Sequence, residues 1–317
     1  LPEARGAGAA VLGEAGEHHV PASRIADTLV ARGYQEVVTY SFVDPDLQSR
    51  LFPDQRGLEL SNPISSELSI MRLSLWPGLL HAMKRNLSRR QSRVRIFEQG
   101  LRFIYEGNEL KQFMTVSGLI TGLRFSEQWG ASAERADFFD AKRDVEMLLE
   151  STFGDYHFEA ANHPALHPGQ TARIVVRGQP AGWIGGLHPR IARELDLDSA
   201  PLLWELDEAL GFAADMPLFT EISRFPGIRR DIAVVVDQAA PAQALLEAIR
   251  QAGGRLLTES RIFDVYSGNR IDSGLKSVAF GLILQESSRT LTDEEADGVV
   301  AAVVARLASE FGARLRD

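Results

Sequence analysis

Apolar positions along the chain recur with two periods, and the periods separate strands from helices. Ile25, Leu29 and Val30 form one stripe behind Pro21, with Ser23 placed to cap, which predicts a helix that Gly33 ends. Val37, Val38, Tyr40 and Phe42 predict a strand over 34–43. A Ser/Asn/Pro-rich loop and a helix with Pro77 in its first turn are expected over 60–87. A strand over 94–97 turning at Gly100, strands over 115–121, 172–177 and 182–186, and a helix over 140–152 follow. The last hundred residues read as a separate unit, with strands over 231–237, 256–266 and 277–285, a helix over 241–252, and a long helix over 292–311. The stripe of that long helix runs through Ala296, Val299, Val303 and Leu307; Thr292 and Glu295 form a capping box, and Gly312 is the C-cap. A closing strand over 313–316 completes the order β-α-β-β-α-β, the ferredoxin-like plan. Alternation places Ile232, Val234, Val236, Phe263 and Val265 against the helices. It places Asp231, Ala233, Val235, Ile262, Asp264, Tyr266, Ala279 and Gly281 on the other face. Small residues around one tyrosine leave room for a base to stack, or for another domain to cover.

Composition sharpens this picture. With 317 residues, 44% hydrophobic and 24% charged, the chain is long enough for two or three domains of a mixed α+β class. A net charge of −9 confines any nucleic-acid site to a local patch. The chain has no cysteine, hence no disulfide and no thiolate metal site. No apolar run approaches the ~20 residues that span a bilayer, and no signal pattern opens the chain, so a cytoplasmic location without membrane contact is expected. The first residue is Leu rather than Met, the expectation for a piece of something longer. Residues 1–20 read as a linker or tail, 21–216 as one α+β module, and 217–317 as the second, with Pro217 a hinge.

Candidate chemistry is sparse. His163 and His167 are four apart, with His188 beyond, but Pro164, Pro168 and Gly169 forbid the helix that would aim a zinc-binding pair, so loop histidines are the simpler reading. Gly185-Gly186 and Gly253-Gly254 match no phosphate-binding loop. Ser65, Ser66 and Ser69 fall into no nucleophile pattern. The acids from Asp293 to Asp297 suit a helix start. The window 84–102 holds Lys84, Arg85, Arg89, Arg90, Arg93, Arg95 and Arg102 against Glu98, either a phosphate strip or a solvated or interdomain face.

Three stretches carry a resemblance. The run from Arg32 to Phe42 (RGYQEVVTYSF) resembles the first signature of class II aminoacyl-tRNA synthetases, with Tyr40 where that signature has proline. Residues 61–72 (SNPISSELSIMR), 75–80 (LWPGLL) and 95–106 (RIFEQGLRFIYE) are similar to the segments that lead into the second. There Phe103-Ile104-Tyr105-Glu106 replaces Phe-Arg-x-Glu, so Ile104 stands where an arginine would meet the α-phosphate; an aliphatic side chain cannot stabilise that charge. The third class II signature does not occur before Met216. Residues 223–236 (SRFPGIRRDIAVVV), with Phe263-Asp264-Val265-Tyr266, Lys276-Ser277 and 289–295 (RTLTDEE), resemble the ferredoxin-fold anticodon-binding domain of phenylalanyl-tRNA synthetase. Leu166-His167-Pro168-Gly169 and Gly185-Gly186-Leu187-His188-Pro189 resemble its β subunit, although Gln170 stands where a basic residue is expected.

By this resemblance, over about residues 21–317, the chain is identified as a member of the bacterial phenylalanyl-tRNA synthetase β-subunit family, in its C-terminal part. The resemblance implies a class II synthetase-like antiparallel-sheet module without catalysis over 21–216, and an anticodon-binding domain over 217–317. It implies an α-subunit partner in an (αβ)2 heterotetramer and phenylalanine tRNA as ligand. No cofactor is expected in this chain, ATP and magnesium being used by the whole enzyme. Arg224, Arg229, Arg230 and Lys276 are the candidate phosphate contacts and Tyr266 the candidate stacking platform. The rival expectations are a purely structural protein-docking role, and a free-standing metalloenzyme built on His163 and His167.

Overall fold

The structure is a computed structural model that describes residues 19–152, 154–216, 219, 222–268 and 271–316. It divides into two compact units, Leu1–Pro217 and Leu218–Asp317. The expected tail lies outside the described residues up to 18, and so does Pro217. His19 and Val20 already belong to the first unit: Val20 is buried, and its N–H donates to the Phe212 carbonyl at 2.9 Å.

The first unit is built on a seven-stranded sheet of order β1-β4-β5-β9-β8-β7-β6. These strands are β1 (Gln35–Glu36), β4 (Val94–Glu106), β5 (Glu109–Thr121), β6 (Tyr156–Ala160), β7 (Leu166–Val176), β8 (Gln179–Leu187) and β9 (Leu202–Asp207). Among the described residues only β1 and β4 pair in parallel. A separate two-stranded ribbon joins β2 (Phe42–Val43) and β3 (Ile70–Met71). One sheet face, with Phe97, Val116 and Trp204, packs on α1 (Ala22–Ala31) and α4 (Phe138–Glu150). The other, with Ile96, Leu119 and Leu203, packs on α2 (Pro45–Leu51), α3 (Trp76–Ser88) and α5 (Pro189–Glu194). The short α6 (Glu208–Gly211) follows β9 and is capped by Asp207. Helix α1 ends as expected, Gly33 taking φ +82°, but Ser23 makes no capping hydrogen bond.

Two sequence expectations change here. The strand expected over 34–43 breaks into β1 and β2, because Thr39 turns inward and its hydroxyl donates to Glu98 Oε2 at 2.7 Å. Gly100 is not a turn: it lies inside β4, opposite Thr115. A β-carbon there would collide with the guanidinium of buried Arg72, so the glycine serves a close approach. The actual turn is Gly107-Asn108, with Gly107 at φ +62°, and it joins β4 and β5 into one hairpin of two 13-residue strands.

The second unit has β10 (Ile228–Asp237), α7 (Ala242–Gly253), β11 (Leu257–Tyr266), β12 (Leu275–Leu284), α8 (Asp293–Phe311) and β13 (Arg314–Leu315). Its antiparallel sheet runs β11-β12-β10-β13, the strand order of the ferredoxin-like plan. Val234, Phe280 and Leu282 pack one face on Leu245, Ile249, Val303 and Leu307. Both halves of the Thr292/Glu295 capping box form, and Gly312 closes α8 at φ +61°. Among the described residues no helix of this unit packs on the other face.

Candidate nucleic-acid interface

The open face of the second unit is fixed by register. Asp231, Ala233 and Val235 of β10 lie opposite Gly281, Ala279 and Ser277 of β12, which pairs in turn with Arg261, Asp264 and Tyr266 of β11. A β-bulge between Ile262 and Asp264 inserts Phe263 as the extra residue. Simple alternation therefore fails at this point. Ile262, expected on the open face, pairs with buried Phe280 and packs into the core. Phe263, expected in the core, is 51% exposed, and the Arg229 guanidinium lies over its ring, 5.6 Å from the centroid. Beyond the bulge the alternation resumes in phase, so Asp264 and Tyr266 keep the open face. Val265 pairs with Val278 on the helix side yet is largely exposed.

The candidate contacts separate into two sets. Tyr266 carries the Arg316 guanidinium 5.3 Å from its ring centroid, and Arg316 Nη1 donates to Ser277 Oγ at 3.3 Å. Arg229 grips Asp231 with two hydrogen bonds, at 2.8 and 3.2 Å. Arg224 is exposed on the bend before β10. Arg230 points the other way: it donates to Asp293 (2.6 Å) and Asp297 (3.0 Å), the acids that open α8. Lys276 also leaves the open face, opposite buried Val236, and donates to the Ala240 carbonyl at 2.6 Å. Phe263 and Arg316 were missed in the sequence. The bulge hid the first, while Arg314 and Arg316 flanking Leu315 on a closing strand were a readable signal for the second.

The basic window 84–102 also splits. Arg95 is buried and donates to Asp144, Arg93 donates to the Leu123 carbonyl, and Arg102 lies 3.5 Å from Asp207. Lys84, Arg85, Arg89 and Arg90 are exposed around the end of α3.

The three histidines share a local role. His163, His167 and His188 each precede a proline and accept, at Nδ1, the N–H two residues on, from Ala165, Gly169 and Arg190. Proline has no N–H, so the next donor is the one that needs a partner. His163 also packs edge-on against Phe52, Trp76 and Trp183, with centroids 4.9 to 5.5 Å apart. Burial lowers its pKa from the ordinary 6.5 to about 4. The unfolded chain then binds the extra proton first, so stability is lost as pH falls from about 6.5 toward about 4. An NMR titration of the folded chain should give His163 a midpoint near 4; a midpoint near 6.5 would contradict this burial.

A cleft of about 570 Å³ opens on the α2/α3 side of the first unit's sheet, beneath the β4–β5 hairpin. Arg102, Ile104, His163, Trp183 and Glu205 are among the residues that line it. Among the described residues no group of three metal-ligating side chains occurs, and no helix is long and apolar enough to cross a membrane.

The four-stranded sheet with helices on one face and rings and arginines on the other is a ferredoxin-like unit, and residues 223–316 match the family model of the ferredoxin-fold anticodon binding domain. Residues 1–208 match that of the phenylalanyl tRNA synthetase beta chain CLM domain. The chain belongs to the phenylalanyl-tRNA synthetase beta-chain family. It is 47% identical to the phenylalanine–tRNA ligase beta subunit of Methylococcus capsulatus, over 100% of this chain and 40% of that one. The beta subunits of Pseudomonas syringae pv. tomato and Nitrosococcus oceani are each 45% identical, over 91% and 93% of this chain and 37% and 38% of theirs. The chain thus spans about two fifths of the length of these relatives. Among solved structures, the Desulfitobacterium hafniense PylSc, a pyrrolysyl tRNA synthetase, superposes with a TM-score of 0.43 at 14% identity, over 58% of this chain and 64% of that one.

Proposed function

We propose that this chain is the scaffolding and anticodon-binding part of a phenylalanine–tRNA ligase beta subunit. It acts in the cytoplasm within an (αβ)2 assembly that charges phenylalanine tRNA. The observation that carries the RNA reading is the open sheet face of the second unit, where Phe263 and Tyr266 each lie beside an arginine. Rings offer stacking to unpaired bases, and arginines steer the backbone. Arg229, Arg316 and Arg224 serve that face. Arg230 and Lys276, tied to α8 and to the Ala240 carbonyl, support the fold behind it or meet phosphates at its edge.

The first unit is a class II-like module without chemistry. The helix α1, the strand β1 parallel to β4, and the long β4–β5 hairpin support that reading. ATP and magnesium belong to the α subunit. A triphosphate does not fit the cleft here, because Ile104 lines it and Arg102 is already flanked by Asp207 and Glu205. The segment after α1 presents Val38 (91% exposed) and Tyr40 (63%), apolar surface suited to an α-subunit contact.

The test is binding to a phenylalanine-tRNA anticodon stem-loop at two salt concentrations, beside a stem-loop with a swapped anticodon. Salt-sensitive preference for the cognate loop is expected. Tyr266→Ala should weaken it by about 1–3 kcal/mol. Undiminished binding with an intact fold removes Tyr266 from the interface. Absence of binding to either loop leaves this chain only its docking role.

A further inference from the structure

The cleft of the first unit is lined in a way that the RNA reading does not use. Its volume, about 570 Å³, lies within the range of small-molecule sites. Its apolar and aromatic lining is Trp183, Ile104 and the ring of His163, which stays uncharged at neutral pH. Its polar lining is of mixed sign. Arg102 lies 4.0 Å from Glu205 and 3.5 Å from Asp207, and its Nε is buried without a hydrogen-bond partner among the described residues. Phe113 holds the guanidinium from beneath, 5.5 Å from ring centroid to Cζ. Glu205 Oε2 accepts from Ser74 Oγ at 2.6 Å and from the Leu75 N–H at 3.0 Å, while Oε1, 4.0 Å from Arg102 Nη1, accepts no hydrogen bond among the described residues. At the rim, Arg56 lies 5.5 Å over the Tyr105 ring.

These features select among ligands. A nucleotide brings several negative charges, and two carboxylates already flank Arg102. A neutral apolar molecule would leave Arg102 and Glu205 desolvated without a new partner. A zwitterion with an aromatic side chain satisfies all of these groups: its carboxylate meets Arg102 with Arg56 above, its ammonium meets Glu205 Oε1, and its ring lies against Trp183 and Ile104.

We propose that this cleft binds a free aromatic α-amino acid, separately from any catalytic site of the assembly. The experiment is ligand-observed NMR and calorimetry on the whole chain with L-phenylalanine as probe. Phenethylamine and 3-phenylpropionate, each lacking one charge, adenosine and ATP are the comparators. Saturable binding of phenylalanine is expected, with each one-charge analogue weaker. Arg102→Gln should weaken it by about tenfold or more, as the loss of a charge-assisted pair does, and Trp183→Leu should also weaken it. Arg261→Gln, in the other unit, should leave it unchanged. Thermal melts establish that each variant is folded; Trp183→Phe, which keeps an aromatic ring, replaces any that is not, and should bind more weakly. No phenylalanine binding at millimolar concentration, binding untouched by the cleft variants, equal binding of the one-charge analogues, or preference for adenosine or ATP would each overturn the assignment. None of these readouts depends on stem-loop binding.

Discussion

Asp144→Ala should lower the melting temperature of the first unit by roughly 10 °C, at about 2–4 °C per kcal/mol for a domain of this size. Asp144 is fully buried in α4 and accepts three hydrogen bonds, from Arg32 Nε at 2.7 Å, Tyr34 Oη at 2.9 Å and Arg95 Nη1 at 3.0 Å. Tyr34 Oη accepts in turn from Trp204 Nε1 at 3.2 Å. One carboxylate thus joins the end of α1, the helix α4 and the strands β4 and β9. Burial, and after it the Asp144 charge, hold the Tyr34 phenol well above its ordinary pKa. Removing the carboxylate leaves the Arg95 guanidinium buried and uncompensated. Breaking such a pair costs about 3–5 kcal/mol, far more than an exposed bridge is worth. Scanning calorimetry checks the value, and the transition of the second unit should not move. A loss below about 1 kcal/mol would mean that water replaces the carboxylate.

Glu98→Ala should destabilise the same unit by a similar amount, about 3–5 kcal/mol. Glu98 and Arg72 are both nearly inaccessible and 2.7 Å apart. Glu98 also accepts from Thr39, through N–H at 3.2 Å and hydroxyl at 2.7 Å, and Arg72 Nε donates to the Leu101 carbonyl at 2.8 Å. The single substitution strands a buried cation. The double substitution Arg72→Met with Glu98→Leu removes both charges and should recover most of the loss in urea unfolding. If the double variant is as unstable as the single one, the stability lies in the hydrogen bonds to Thr39 and Leu101 rather than in charge compensation.

Both clusters show where sequence reading reaches its limit. The second unit was legible because its helices are amphipathic with a clean period, and because Thr292, Glu295 and Gly312 mark the ends of α8. In the first unit the decisive contacts join residues far apart in the chain, such as Arg32 with Asp144 and Thr39 with Glu98. No local pattern announces them. Gly100 reads as punctuation, yet its small size serves an arginine that arrives from residue 72. Strand β9 is six consecutive buried residues and shows no alternation, as strands covered on both faces do. On the candidate interface, Tyr266 was readable by alternation. Phe263 was not, because one inserted residue reverses the facing of everything before it. The histidines were countable as possible ligands, but their prolines were the better clue: each ring caps a turn.

Two arginines of the second unit already have carboxylate partners: Arg229 holds Asp231, and Arg230 holds Asp293 and Asp297. A phosphate that takes either of these two exchanges one anion for another, so they add little to the salt dependence of binding, which falls to Arg224 and Arg316. On a chain carrying nine excess negative charges, that leaves long-range attraction weak for every RNA alike. On the proposed RNA-binding face, residence then depends on whether an unpaired base can settle on a ring, which favours single-stranded loops over duplexes.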